Sequence, residues 1–390
     1  MLLFDATHTS HTRAQTGIQR VCRSLFAELN KMQAVTGICR DPYHDTWRTL
    51  SATELKQLQH AGPPSGSRSS LWSQRQRLAG HGRRLLGIRA ELPAATGLVC
   101  PEFFSAKVGA NLPELFPRVN GPRVAVFYDA IPLQFPELTP PGTVARFPAY
   151  LRELLQFDGI AAISETSAAI LRDYWQWLGV TNPPPVAAIP LAIGSKQPSP
   201  VVASAATDSP RLLCVGTIEG RKNHLALLEA CDALWRDGLK FELQLIGLAR
   251  PDTAGRALEK IAALQAAGRP LIYEGVASDE EISEAYRACA FTVYPSLIEG
   301  FGLPVLESLG FGKPCICSAR GALGESARAG GCEALESVDA RSLAAAIKRL
   351  LQRPDDLAAL AAAAHAREFT TWSDYARSLT IWMATLSRRE

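Results

Sequence analysis

Two series of short apolar runs, alternating with amphipathic ones on either side of a Ser/Pro/Ala-rich break, constrain this chain more than any other feature. In the first half LLFDAT reads as a strand, and residues 5–16 as a polar loop. Gly17 then opens a stretch with Ile18, Val21, Leu25, Phe26 and Leu29 at helical spacing. RVAVFYDAI (123–131), GIAAIS (159–164) and VAAIPLAI (186–193) read as further strands, and residues 146–157 and 165–179 as helices. Residues 195–210 lack periodicity and read as a linker, after which RLLCVGTI restarts the alternation. Its later strands are FELQLIGLA, LIYEGV, AFTVYPS and PCICSA. Alternating strand and helix in both halves predicts an α/β chain with two Rossmann-like doubly wound parallel sheets. The default ligand site is then the cleft between them, where strand carboxyl ends and helix amino ends converge.

Composition excludes several classes. With 41 basic and 38 acidic residues the net charge is +3, too small for a nucleic-acid partner held by a basic field. At 47% hydrophobic and 20% charged, a chain of 390 residues can bury two cores. It has no run of about 18 apolar residues for a membrane span, and MLLF meets Asp5 too soon for a signal-peptide core. The nine cysteines are scattered without a C-x-x-C, and read as buried thiols of a reducing cytoplasm. Cys315 and Cys317 are two apart in one strand, so their side chains point the same way, and a metal or redox reading stands beside that of buried thiols. Residues 60–90 stand apart: Arg68, Arg75, Arg77, Arg83, Arg84 and Arg89 occur without an acid, interleaved with Leu71, Trp72, Leu78, Leu85 and Leu86. Such a segment suits a mobile surface loop, a solvated helical face or a peripheral contact with an anionic membrane.

The segment Tyr294-Pro-Ser-Leu-Ile-Glu299-Gly-Phe-Gly-Leu-Pro-Val-Leu-Glu307 carries the sharpest chemistry. It reads as a strand end, a loop with an acid and two glycines, then a helix with Pro304 in its first turn. Gly300 and Gly302 let backbone amides approach a ligand, and a helix amino end beside them favours an anion. Two carboxylates eight positions apart can accept from different hydroxyls of one extended ligand. A second segment, Val215-Gly-Thr-Ile-Glu-Gly-Arg-Lys222-Asn-His, follows the first strand of the second half. A glycine turn with adjacent cations before a helix suits a diphosphate.

Glu299 and Glu307 with EGFGLPVLES resemble the E-x7-E motif of retaining GT-B glycosyltransferases of family 4. The resemblance implies that Glu299, Gly300, Phe301, Gly302 and Leu303 line the donor-sugar pocket, and that Glu307 holds the nucleotide ribose. It likewise implies that Lys222, with Arg221, Gly216 and Thr217, grips the donor diphosphate, and it carries Val276 to the donor site. Gln15-Thr-Gly17-Ile-Gln-Arg20 is similar to the family's first glycine loop, against the donor phosphate, with Arg20 facing it or solvated. Tyr128-Asp129-Ala-Ile-Pro-Leu is similar to its H-D-x-I-P-L, with Tyr128 where a sugar-contacting histidine is usual and Asp129 kept. Ile163-Ser-Glu165-Thr-Ser is similar to its V-S-E-x-S, which residue chemistry reads as a helix cap. The resemblance fails over about 40–110, the usual acceptor-specific region.

The implied organisation is an acceptor-side domain over 1–195 with 40–110 variable and a basic insertion, a nucleotide-sugar domain over 196–370, and a helix over 371–390 crossing back. The implied enzyme retains anomeric configuration. It moves a hexose or deoxyhexose, mannose or rhamnose favoured, from a GDP-, dTDP- or UDP-linked donor to a glycan or lipid-linked acceptor. Lys222, Glu299 and Asp129 are its catalytic candidates. No D-x-D motif marks the diphosphate site, so no metal is expected. The rival readings are an epimerase of the same fold and an inactive sugar-nucleotide-binding module. Bacterial polysaccharide or O-antigen synthesis, at the cytoplasmic membrane face, is the implied setting.

Overall fold

The computed structural model describes residues 1–14, 17–59, 71–88, 90–193, 209–250 and 252–389. Most of the 195–210 linker, Gln15, Thr16, Arg68 and Arg89 therefore lie outside the described residues. The chain divides into two compact units, one of residues 1–134, 140–192 and 372–390, the other of 135–139 and 193–371.

Seven strands build the first unit: β1 (Leu2–Asp5), β2 (Val35–Asp41), β3 (Thr46–Thr49), β4 (Gly97–Cys100), β5 (Arg123–Phe127), β6 (Gly159–Ala162) and β7 (Val186–Ala188). Their order is β3-β2-β1-β4-β5-β6-β7, parallel throughout except for the β2–β3 hairpin. That hairpin corrects the all-parallel expectation, and it falls in the stretch where the sequence offered no strand. The core strands are buried on both faces, as helices covering a parallel sheet require. The order reverses direction at β1, so the crevice between the ends of β1 and β4 is this sheet's switch point.

Two carboxylates sit there. Asp5, at the end of β1, accepts from the amide and hydroxyl of Thr7 at 3.0 and 2.6 Å. Glu102, just beyond β4, accepts from the amides of His8 and Thr9 at 2.8 and 2.6 Å. Burial, with Glu102 close by, pushes the Asp5 carboxyl up to about 7. A carboxyl raised in the folded state binds its proton more tightly there than in the unfolded chain, so stability falls as pH rises through 7. Asp5→Asn can still accept from Thr7 and no longer ionises. It is expected to stabilise the fold at pH 8 by on the order of 2 kcal/mol and to do little at pH 4. Denaturant unfolding at the two pH values checks this, and equal pH slopes in both proteins would refute it.

Within residues 60–90 the described part holds a helix, Gln74–Leu85, started by a capping box. The Gln76 amide donates to Ser73 Oγ at 3.2 Å and the Ser73 amide to Gln76 Oε1 at 2.7 Å. Leu71 N donates to His11 O at 2.6 Å, Trp72 stacks on His11 with centroids 3.7 Å apart, and His44 Nε2 meets Ile88 O at 2.6 Å. Leu78, Leu85 and Leu86 remain 73%, 87% and 76% exposed. This part of the basic segment is therefore an anchored helix that turns apolar and arginine side chains outward.

The second unit holds β8 (Arg211–Val215), β9 (Glu242–Ile246), β10 (Leu271–Glu274), β11 (Phe291–Tyr294), β12 (Cys315–Ser318) and β13 (Cys332–Leu335), ordered β10-β9-β8-β11-β12-β13 and wholly parallel. Its switch point lies between β8 and β11, whose following loops carry the two motifs. Helices His224–Arg236 and Ala340–Gln352 bury Leu227, Leu228, Leu343 and Ile347 with Leu212, Leu243 and Phe291 in one cluster. Among the described residues no helix is long and apolar enough to cross a membrane.

Candidate functional site

β8 ends at Val215, and the chain turns at Gly216 with φ +155°. Gly247, at the end of β9 with φ +153°, lies so near that a Cβ on it would come within 2.0 Å of Gly216 O. The two loops can thus meet only through glycine. A single 3-10 turn, Gly220–Lys222, carries Arg221 and Lys222, and Asn223 exits it left-handed at φ 55°. Asn223 Nδ2 holds that conformation by donating to Val338 O at 2.8 Å. The turn presents both cations toward the end of β11, where Leu297 N donates to Arg221 O at 2.9 Å.

Here the first and second motifs meet. Glu299 takes Lys222 Nζ on one oxygen at 2.6 Å and Arg221 on the other at 2.7 Å. Glu219 backs Arg221 at 2.8 Å and Arg250 at 3.7 Å. Tyr294, at the end of β11, donates to Glu299 at 3.0 Å, accepts from Lys222 and places its ring under that ammonium, 4.7 Å from the centroid. Lys222 is only 8% exposed. Burial alone would raise the Glu299 carboxyl, but Lys222 and Arg221 outweigh it and hold it at about 2. Burial draws the Lys222 ammonium below its ordinary value although Glu299 opposes that. His224, buried beside Lys222, is pushed down to about 4, which keeps it neutral near pH 7.

The second glutamate stands on the next element. The loop from Glu299 reaches Gly302, left-handed at φ 104°, which precedes the helix Leu303–Gly310. Ser326 Oγ donates to Phe301 O at 2.8 Å and fixes the glycine loop from behind. Glu307 is half-buried on this helix near Tyr286, whose hydroxyl it helps push up after burial. Gly300 is buried, whereas Thr217, Phe301 and Leu303 are half-buried and Val276 is 65% exposed. The structure thus gathers Arg221, Lys222, Glu299 and the 300–303 loop around one sheet switch point. Tyr294 and Glu219 stand in the same cluster without having been assigned a role from sequence. Their signal was present, since both lie inside the quoted motifs, but their hydroxyl and carboxylate directions need the fold.

The first-unit candidates are placed as follows. Gly17 begins the helix Gly17–Met32 and is exposed. Asp129 follows β5 and accepts from Ile131 N at 3.0 Å. Tyr128 donates its hydroxyl to Pro101 O at 2.6 Å, so that group serves the unit's own backbone. Ser164 caps the helix Glu165–Trp177 by accepting from Ser167 N at 3.1 Å. Among the described residues one metal-like set, His11, Cys39 and Glu54, brings its donor atoms within 4.8 Å of one another. Arg48 bonds both Glu54 oxygens at 2.7 and 2.8 Å and supplies the positive charge there.

Residues 196–367 match the family described as Glycosyl transferases group 1. The serotype-specific mannosyltransferase WbdA of Escherichia coli is 25% identical over 339 residues, covering 79% of this chain and 37% of that protein. The chain thus spans little more than a third of that relative. The D-inositol 3-phosphate glycosyltransferase of Thermobispora bispora is 33% identical over 194 residues, 46% of this chain and 44% of its own. Among solved structures, Anabaena HepE in complex with UDP and glucose matches with a TM-score of 0.68 at 15% identity, over 99% of both chains. At that identity the likeness speaks for the fold, which is the expected GT-B type.

Proposed function

We propose that this chain, whose residues 196–367 match the glycosyl transferases group 1, is a retaining glycosyltransferase. It moves a hexose or deoxyhexose from a nucleotide-diphosphate sugar to a glycan or lipid-linked glycan in bacterial polysaccharide synthesis. The observation that carries this is the convergence of Arg221 and Lys222 on Glu299 at the carboxyl ends of β8 and β11. Mannose is the favoured sugar because the matched Escherichia coli relative is a mannosyltransferase. UDP stays in the donor panel because the matched HepE structure holds it.

Lys222 and Arg221 meet the diphosphate, and their pull grows as the bond to the sugar breaks and negative charge collects on the leaving oxygen. Glu299 then turns to the sugar hydroxyls, while Glu307 holds the ribose. The acceptor hydroxyl attacks from the face that the diphosphate leaves, and the departing phosphate takes its proton. The protein contributes chiefly position and preorganised charge. Lys222 and Arg221, released from Glu299, would supply the positive charge that meets the diphosphate, which supports a metal-independent reading. The test is transfer to lipid-linked and glycan acceptors from a panel of GDP-, dTDP- and UDP-sugars, with and without EDTA. Acceptor-dependent product with retained configuration supports the proposal. Turnover without acceptor would indicate an epimerase, donor binding without turnover an inactive module, and rescue of a chelated enzyme by Mg²⁺ a metal-dependent site.

The helix Gln74–Leu85 suits an anionic leaflet, because Arg75, Arg77, Arg83 and Arg84 lie beside outward Leu78, Leu85 and Leu86. Each basic residue near such a surface contributes about 1 kcal/mol, weakened by salt. The expected result is co-sedimentation with anionic vesicles at low salt, lost when the four arginines become Ser. Equal sedimentation of the variant would remove the helix from any membrane role.

A further inference from the structure

Three cysteines of the second unit lie together in the apolar cluster beneath the helix that carries Glu307. Cys315 and Cys317 are fully buried on β12, and their side chains share one face because they are two apart. Cys332 opens β13 and stands directly opposite Cys315 in the parallel register. All three belong to one apolar cluster, with Cys332 at its half-buried margin. β13 is the edge strand, so a reagent can reach Cys332 without opening the sheet. Arg367 stands at this margin, donating to Gly330 O at 3.2 Å, two residues before Cys332. The neighbouring Cys315 and Cys317 thiols draw the Cys332 thiol well below its ordinary range, and Arg367 adds to the effect. A thiolate is the reactive form of cysteine, and a guanidinium beside it favours that form.

We propose that Cys332 and Cys315 form an oxidisable pair, with Cys332 as the thiolate that first attacks a hydroperoxide. Directly opposed residues on neighbouring strands have Cα atoms about 4.8 Å apart, inside the range that a disulfide spans. Cys317 is opposite Ala334, one side-chain step farther along, which makes Cys315 the geometric partner. In the first step the Cys332 thiolate takes one oxygen of the peroxide, the O–O bond breaks and hydroxide leaves. In the second the Cys315 thiol attacks the sulfenic sulfur, the S–S bond forms and water departs with the thiol proton. Two thiols and one peroxide thus become a disulfide and two waters. The link would draw β13 onto β12 beneath Val305, Leu306 and Leu309 of the helix that carries Glu307.

The experiment treats the full chain with limiting hydrogen peroxide, blocks remaining thiols under denaturing conditions and maps the peptides by mass. The reduced protein should show nine free thiols and the oxidised protein two fewer, with Cys332 joined to Cys315 and full recovery on reduction. Cys332→Ser should keep all eight remaining thiols through the same treatment, and Cys317→Ser should still form the link. A full complement of thiols after peroxide, or a link that joins Cys332 to Cys317, would overturn the assignment. Mapping of the unmutated protein decides the matter even if a variant does not fold.

Discussion

Lys222→Ala is expected to lower turnover about 10²-fold and to weaken donor binding together with it. The ammonium is nearly enclosed and bonded to Glu299 at 2.6 Å, with the Tyr294 ring beneath it. Removal of one preorganised charge from such a site costs on the order of 10² in rate. The loss exceeds what a surface lysine would show, because a charge held in a poorly hydrated pocket acts through a lower effective dielectric. Alanine also leaves Arg221 as the remaining cation at Glu299, so the carboxyl now held at about 2 should rise. Calorimetric donor binding and single-turnover kinetics separate the two losses. Donor affinity and rate like those of the unmutated protein would remove Lys222 from the diphosphate site.

The two motifs were legible because each is contiguous: Gly-Thr-Ile-Glu-Gly-Arg-Lys sits between a strand and a helix, and Glu-Gly-Phe-Gly sits at a helix start. That they face one another was not legible, since Lys222 and Glu299 are 77 positions apart and meet only because β8 pairs with β11. Tyr294 shows the same limit at the scale of one side chain. Its place before the glutamate loop is plain in the sequence, but its bonds to Lys222 and Glu299 depend on the twist of β11 against the 220–222 turn. The hairpin β2–β3 escaped because hydropathy misreads ion pairs. Arg48 and Asp41 lie inward on these strands, joined at 2.7 Å, and Arg40 is buried against Asp45 and Asn111 at 2.8 Å each. Strands whose buried positions are charged carry no apolar alternation to read. β13 escaped for a different reason: CEAL is a short edge strand, half-buried along most of its length.

Glu299→Gln is expected to bind a nucleoside diphosphate more tightly while turning over about 10²-fold more slowly. The two effects oppose one another because Glu299 holds two relations to the same cations. Its oxygens occupy Lys222 and Arg221 at 2.6 and 2.7 Å, so an arriving diphosphate must displace one anion with another. Glutamine keeps the shape and one acceptor but gives up the charge, and the cations then stand open to the diphosphate. A gain of about tenfold corresponds to about 1.4 kcal/mol, a modest share of a close, poorly hydrated ion pair. The rate falls because the sugar, once its diphosphate is held, no longer finds the carboxylate that the exchange would release toward it. A contact realised only during reaction lowers kcat, whereas one made equally throughout raises KM. Glu307→Gln should therefore behave as the second kind, raising donor KM with little change in kcat, since Glu307 lies on the helix and outside the Lys222–Glu299 pair. Titration of both variants with nucleoside diphosphate, beside steady-state kinetics, checks the pattern. Weaker diphosphate binding in the Glu299 variant would mean that the carboxylate supports the cations' grip instead of competing for it, and that the ion pair is a fixed scaffold and not the exchanging element of the donor site.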